Sequence, residues 1–205
     1  MIAIVDYDMG NTGSILNMVK KAGGEAIISS DPEQIENADK LILPGVGAFD
    51  AGIQNLAKLG LVNIFRKKVT EQKTPILGIC LGMQLLTKRS EEGVLQGLGL
   101  VDASTVRFKL ISSSGLRVPH MGWNSVVVRK ESPLFYDMYP NPIFYFVHSY
   151  HVVCRNAEDV LSTTNYGHDF VSSLQIGNIF GTQFHPEKSH KYGLKLMRNF
   201  VELVH

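Results

Sequence analysis

PILGICLGMQLL, residues 75–86, is the stretch that decides the fold. Pro75–Ile79 is a short, continuous apolar run with the length of a buried strand, and the residues after Cys80 open a helix. Between them stands Gly78-Ile79-Cys80-Leu81-Gly82, a G-x-C-x-G form of the strand–turn–helix elbow that presents a nucleophile from a strained backbone. Glycine two residues to each side removes the Cβ atoms that would collide where strand and helix cross. A helix that begins at the cysteine offers unpaired N–H groups and a partial positive charge, both of which favour thiolate over thiol. It also aims the Leu81 amide at the oxygen of a tetrahedral intermediate. The same residues also suit a plain tight turn that buries a small side chain at a strand end. Either way, the segment belongs to an α/β sheet.

Upstream, Ile2–Val5, Glu25–Ser29 and Leu41–Leu43 read as further buried strands, with Gly13–Ala22, Phe49–Leu59 and Leu61–Thr70 as helices. Continuous apolar strands separated by helices predict an α/β fold with a mostly parallel, doubly wound central sheet. Downstream the pattern turns β-rich, through Thr105–Lys109, Ser125–Arg129, Ile143–Val147, Val152–Cys154, Val160–Thr164, Phe170–Gln175 and Asn178–Thr182, before a final helix near Tyr192–Val204. Ile176-Gly177-Asn178 has the composition of a hairpin turn. These strands are expected as mixed and antiparallel additions to the same sheet, making residues 1–205 a single domain. The SSSG run at 112–115 is too short to be a linker, and no internal repeat is present.

Composition removes whole classes of function. With 20 Lys+Arg against 19 Asp+Glu the chain has no basic excess with which to neutralise phosphates, which argues against a nucleic-acid partner. At 44% hydrophobic it is too apolar for a disordered chain, yet no apolar run approaches the ~18–20 residues of a membrane span. MIAIVDYD lacks the basic start and small-residue cleavage site of a signal peptide, so a cytoplasmic location is expected. Two isolated cysteines, Cys80 and Cys154, exclude a disulfide framework or a four-thiolate zinc site. Cys154, without flanking glycines, reads as a buried structural thiol.

A partner for Cys80 lies near the carboxyl end. In GTQFHPEKS a strand ending at Phe184 runs into His185-Pro186-Glu187, and the proline keeps His185 out of helical conformation. In an extended segment residues i and i+2 project to one side, so the Glu187 carboxylate can orient one imidazole nitrogen while the other faces a nucleophile. The bland alternative is a turn with an exposed Glu187. His148 and His151 have a loose metal-like spacing but no third ligand, so no metal site is expected. His168 falls in a polar turn, and His190 and His205 read as surface residues.

These residues resemble the class I (triad) glutamine amidotransferases, and the resemblance covers essentially the whole chain. It is carried, in order, by DYDMGN at 6–11, LPGVGAF at 43–49, GICLGMQLL at 78–86, VPHMGWN at 118–124, FVHSY at 146–150 and QFHPEKS at 183–189. Within that family the PGVG and PHMGWN motifs resemble those of glutaminase subunits that feed a (β/α)8-barrel cyclase in histidine biosynthesis. The resemblance implies a flavodoxin-like fold, Cys80 as nucleophile, His185 as general base and then acid, and Glu187 as its orienting residue. It implies oxyanion donors at the Leu81 amide and, after a loop rearrangement, at Val46 beside Gly47, with Gln84 helping to hold glutamine. Asn11, His120, Trp123, Tyr145 and Lys188 would lie at or near the cyclase interface. No cofactor is implied, and the absence of GxxxxGK[ST] or GxGxxG loops agrees with an anionic nucleotide sitting on the partner.

Asp8 stands where the commonest form of the family has glycine, and Thr12-Gly13 where a bulkier or basic pair is usual. Thr87–Glu92 and GLGLVDASTVRFK at 97–109 lean toward a branch whose glutaminase and cyclase-like pair amidates a sugar for surface polysaccharide. The triad is the same in both. A stand-alone cysteine hydrolase and a non-catalytic scaffold subunit are the alternatives from other classes.

Overall fold

The computed structural model describes residues 1–111, 113 and 115–205; Ser112 and Ser114 of the SSSG run lie outside the described residues. In chain order the strands are β1 (Ile2–Val5), β2 (Ala26–Ser29), β3 (Lys40–Gly45), β4 (Ile76–Cys80), β5 (Arg89–Ser90), β6 (Ala103–Arg107), β7 (His120–Ser125), β8 (Val127–Val128), β9 (Ile143–His148), β10 (Tyr150–Cys154), β11 (Val160–Asn165), β12 (Asp169–Ile176) and β13 (Ile179–Thr182). The helices are α1 (Thr12–Lys21), α2 (Pro32–Glu36), α3 (Phe49–Lys58), α4 (Leu61–Arg66), α5 (Leu81–Leu85) and α6 (His190–Leu203).

The main sheet runs β2-β1-β3-β4-β13-β12-β10-β6-β5, parallel from β2 to β13 and then antiparallel through β12, β10 and β6, with β5 parallel to β6 at the far edge. Its parallel part has the flavodoxin-like order, so ligands belong at the carboxyl ends of the strands. Cys80 ends β4, Gly45 ends β3 beside it, and His185 follows the end of β13 on the other side.

Side-chain alternation explains why both faces are covered. Ile2 and Ile4 of β1 pack on one face with Ile15 and Val19 of α1 and Leu196 and Phe200 of α6. Ala3 and Val5 pack on the other with Leu56 of α3, Phe65 of α4 and Leu85 of α5. Each such fully buried Leu, Ile or Phe side chain contributes roughly 1.5–3 kcal/mol relative to exposure, which fixes the strand ends that carry the site.

The structure corrects the sequence reading in four places. The expected strand Ser125–Arg129 is divided: β7 ends at Ser125 and β8 is a separate two-residue strand. Among the described residues β7 pairs only with β9, as a two-stranded antiparallel ribbon outside the main sheet, so not all the additions join one sheet. Gly122 at φ +123° and the polar residues of HMGWNS hide this strand from a hydrophobic pattern. The helix expected over Leu61–Thr70 stays α-helical only to Arg66 and widens into a π-helical turn over Lys67–Glu71, closed by Gln72 N–H donating to Lys67 O. α2 was overlooked although Asp31-Pro32 announces it: the Asp31 carboxylate accepts from Glu33 N at 2.9 Å, and Pro32 occupies the first turn.

Candidate active site

Cys80 sits at φ 54°, ψ −109°, a conformation that costs an L residue on the order of 1–3 kcal/mol. The surroundings enforce it. Gly45 is paired with Cys80 across β3 and β4, and α5 crosses so close that a Cβ on Gly82 would overlap the Leu43 carbonyl oxygen. α5 has only five residues, so its influence on the thiol comes from the free N–H groups of its first turn, Leu81 foremost, rather than from a long helix dipole.

His185 and Glu187 meet, but by another route than the extended spacing suggests. The strand stops at Thr182, His185 is extended (φ −100°, ψ 99°), and Pro186–Lys188 forms one 3-10 turn that brings Glu187 back to the ring. His185 Nδ1 lies 2.7 Å from Glu187 Oε1, and both side chains are almost wholly buried. The carboxylate can only accept, so Nδ1 carries the proton of this bond. His185 N–H donates to Tyr145 O at 2.9 Å, and the buried Ser189 hydroxyl donates to His185 O at 2.6 Å while accepting from Tyr145 N. Nε2, on the far side of the ring, is buried with no hydrogen-bond partner among the described residues, as is Glu187 Oε2. Burial alone would depress the imidazolium, but Cys80 first and Glu187 second outweigh it and raise His185 above its ordinary value. Cys80 exerts this pull although no well-formed hydrogen bond yet joins the sulfur to Nε2.

A cavity of about 440 Å³ opens beside Cys80, within the size range of small-molecule sites. Val46, Gly47, Leu81, Gln84, Glu92, Pro119 and residues 147–150 line it. Gly47 has φ +113°, and a Cβ there would meet the Met9 methyl at 2.7 Å. Beneath this loop the buried Tyr7 hydroxyl donates to Pro44 O at 2.6 Å. Burial, and then the charge of Cys80, push the Tyr7 phenol above its ordinary range, so it stays a donor. Gln84 Nε2 donates to Tyr150 O (3.1 Å) and to Gln183 Oε1 (3.0 Å), which leaves its own Oε1 for a ligand. Gln183, fully buried, turns its Nε2 toward Cys80 Sγ at 3.7 Å. Glu92 Oε2 accepts from Phe49 N at 3.0 Å, capping α3, whose N-cap residue Ala48 makes no side-chain cap. A wider depression of about 770 Å³ along residues 128–136 holds no comparable chemistry, since Arg129 and Lys130 are already engaged by Thr163, Asp169, Glu158 and Gln175.

Sequence reasoning missed Tyr7, Glu92, Gln183 and Ser189 as contributors. Tyr7, Gln183 and Ser189 lie inside the family motifs, which was the available signal; Glu92 closes the Thr87–Glu92 stretch, but nothing local marks its contact with α3, 43 residues away.

The residues expected on the partner side divide. Asn11 is exposed and caps α1, its side chain accepting from Ser14 N at 3.1 Å. Trp123 is 44% exposed, stacked on His190 at 5.2 Å and edge-on to Tyr145, over which Lys188 Nζ sits at 5.7 Å. His120 departs from the set: its ring is buried, stacked between Phe146 and Tyr166, and bonded to His148, so it offers no side-chain surface. The reading of His190 as a plain surface residue is refined by that Trp123 contact. Cys154 is half-buried rather than fully buried; burial and then Asp159 push its thiol up to about 12, which makes it unreactive. Among the described residues no three His, Cys, Asp or Glu side chains are grouped to hold a metal ion, and no helix is long and apolar enough to cross a membrane.

Comparison with known proteins places this geometry in a family. A family model described as glutamine amidotransferase class-I matches residues 3–203. The chain is 56% identical over 202 residues to the imidazole glycerol phosphate synthase subunit HisH 2 of Methanococcus maripaludis, covering 98% of this chain and 99% of that one. It is 50% identical over 204 residues to the protein of the same name from Pseudomonas aeruginosa, covering 100% of both. Among solved structures, PurLQS from Thermotoga maritima shares the fold, with a TM-score of 0.75 at 18% identity over 100% of this chain and 98% of that one. The chain belongs to the class-I glutamine amidotransferases.

Proposed function

We propose that this chain is a glutaminase subunit that hydrolyses glutamine to glutamate and ammonia with Cys80, His185 and Glu187. It passes the ammonia to a (β/α)8-barrel cyclase subunit, the pair making imidazole glycerol phosphate and an aminoimidazole carboxamide ribotide in histidine biosynthesis. The observation that carries the reading is the buried His185–Glu187 pair, whose ring is coupled to Cys80 and whose Nε2 has no hydrogen-bond partner among the described residues. The names and full-length identity of the two relatives support the acceptor pathway.

In the reaction, the Cys80 sulfur attacks the glutamine side-chain carbonyl, and the C=O electron pair becomes an oxyanion facing the Leu81 N–H and the backbone of Val46 and Gly47. When the oxyanion collapses the C–N bond breaks, and His185, charged beside Cys80, gives its Nε2 proton to the departing nitrogen. The products of this half are ammonia and a glutamyl thioester. His185, now neutral, takes a proton from water as the water attacks the thioester; glutamate leaves and the thiolate returns. Glu187 holds the ring in the required tautomer throughout. Gln84 Oε1 and Glu92 supply acceptors for the substrate ammonium group.

Ammonia must stay unprotonated to act elsewhere, so a partner has to cover the pocket. The exposed Trp123, with Asn11, Tyr145 and Lys188, supports that docking face, because Tyr145 O is bonded directly to His185 N–H and thus ties the exposed ribbon to the base. His120 would act there only from beneath the ribbon. The full chain works as one type 1 glutamine amidotransferase unit, and the need for a reduced thiol nucleophile supports a cytoplasmic site of action.

A second reading keeps the glutaminase and changes the acceptor to a sugar in surface-polysaccharide synthesis. Both relatives above bear the number 2 in their names, and a second copy is free to serve another acceptor. The test is glutamate release by the chain mixed with its barrel partner, for wild type and Cys80→Ala, followed by ammonia transfer to the formimino nucleotide or to a sugar acceptor. Retained glutaminase activity in Cys80→Ala overturns the proposal, and transfer to the sugar alone selects the second reading.

A further inference from the structure

An unbroken run of directional hydrogen bonds joins the β7–β9 ribbon to Cys80. Asn124 Nδ2 lies 3.2 Å from His120 Nε2, His120 Nδ1 lies 3.0 Å from His148 Nε2, and His148 Nδ1 lies 2.7 Å from Tyr150 O. Tyr150 O also accepts from Gln84 Nε2, Gln84 Nε2 donates to Gln183 Oε1, and Gln183 Nε2 donates to Cys80 Sγ.

The protons in this run are fully determined by chemistry. A carbonyl can only accept, so His148 Nδ1 bears hydrogen; burial, chiefly, holds His148 down to about 3, so the ring is neutral and Nε2 is an acceptor. His120 Nδ1 must then donate, and burial holds His120 down to about 4, so its Nε2 in turn accepts from Asn124. Tyr150 O uses both lone pairs, on His148 and Gln84. Neutral rings suit this place, because a second cation would oppose the proton on His185.

Position gives the run its leverage. Residue 149 is the only one between β9 and β10, where the chain passes from the exposed ribbon to the main sheet, and the His148–Tyr150 bond closes that passage. His148, Tyr150 and Gln84 all line the cavity beside Cys80. We propose that His120 and His148 are positioning residues for glutamine: the His120–His148 hydrogen bond sets the Tyr150 carbonyl, and through it the Gln84 and Gln183 amides, against the substrate pocket. The proposal rests on the glutaminase reading above.

His120→Phe isolates the hydrogen bond from the packing, since a phenyl ring can keep the stacking on Phe146 and Tyr166 while His148 Nε2 loses its donor. His120→Asn does the reverse, offering an N–H donor without the aromatic ring. Glutamate release is measured on the assembled complex for wild type, both variants and Cys80→Ala, with melting temperatures alongside. In His120→Phe we expect the glutamine KM to rise about fivefold or more, as an orphaned buried acceptor implies, with a smaller change in kcat. His120→Asn should return KM to within about twofold of wild type. Imidazole 15N spectra should show His148 protonated on Nδ1 in wild type. An unchanged KM in His120→Phe, equal damage in His120→Asn, or His148 protonated on Nε2 in wild type overturns the proposal. Wild type no more active than Cys80→Ala refutes the glutaminase reading itself, and the positioning role falls with it.

Discussion

Gly78→Ala tests whether the elbow is held by contact between strand and helix. A Cβ at residue 78 would lie 2.8 Å from Gly82 C, Gly82 O and Met83 N, all backbone atoms of the first turn of α5. An ordinary contact needs about 3.5 Å, so the turn must retreat by roughly 0.7 Å, carrying Leu81 and its N–H with it. Overpacking of this kind costs about 1–3 kcal/mol, which in a chain of this size lowers the melting temperature by roughly 2–12 °C. A displacement approaching 1 Å at the reacting centre is worth up to about a hundredfold in rate, so kcat should fall on the order of tenfold or more. Two companions bracket the series. Gly82→Ala, which would overlap the Leu43 carbonyl, should be the more damaging, whereas Gly13→Ala, with nothing within 4 Å in α1, should stabilise by up to ~0.5–1 kcal/mol. Melting curves and steady-state glutamate release measure both effects. If Gly78→Ala melts and turns over like wild type, or loses stability with kcat intact, the elbow does not position the chemistry through this crossing.

Tyr7→Phe removes the donor to Pro44 O; the orphaned carbonyl costs about 1–3 kcal/mol, and kcat should fall as residues 45–47 loosen, an account that an unchanged melting curve and rate would contradict. Glu187→Gln keeps the shape but loses the charge that orients His185, and should reduce kcat by about 10²–10⁴ with little change in KM; wild-type kcat would rule out that role. Stability should fall as pH drops from 6.5 toward 4. His120, His148 and His151 are held down to about 4, 3 and 4, so the unfolded chain binds more protons than the folded one in this window, and their contribution is complete only above 6.5. His185, raised instead, has the opposite sign: its contribution is present below 6.5 and lost as pH rises through its folded value. Urea midpoints at pH 7, 6, 5 and 4.5 read the balance, and a midpoint that is flat or rises on acidification would contradict it.

What could be read from the sequence depended on how local the determining physics was. The parallel strands β1, β3 and β4 are buried on both faces, so their apolar runs announce them, and the elbow glycines mark a crossing within five residues. His185 and Glu187 were legible as a pair because proline restricts the residue before it, although the 3-10 turn that joins them was not. β7 escaped notice because its neighbour across the ribbon, β9, supplies the apolar side. The burial of His120, expected at or near the partner interface, was illegible for a related reason: only the tertiary structure shows that Phe146, Tyr166 and His148 enclose it. Glu92 and Gln183 act through contacts 43 and 103 residues away in sequence, which no local pattern encodes.

Mass spectrometry of the Cys80 peptide, after acid quench of the complex turning over glutamine, tests the central claim most directly. The account predicts a glutamyl thioester on Cys80, absent from Cys80→Ala, which should release no glutamate above background. Glutamate released at the wild-type rate by Cys80→Ala, or an adduct found on Cys154 instead, would contradict it.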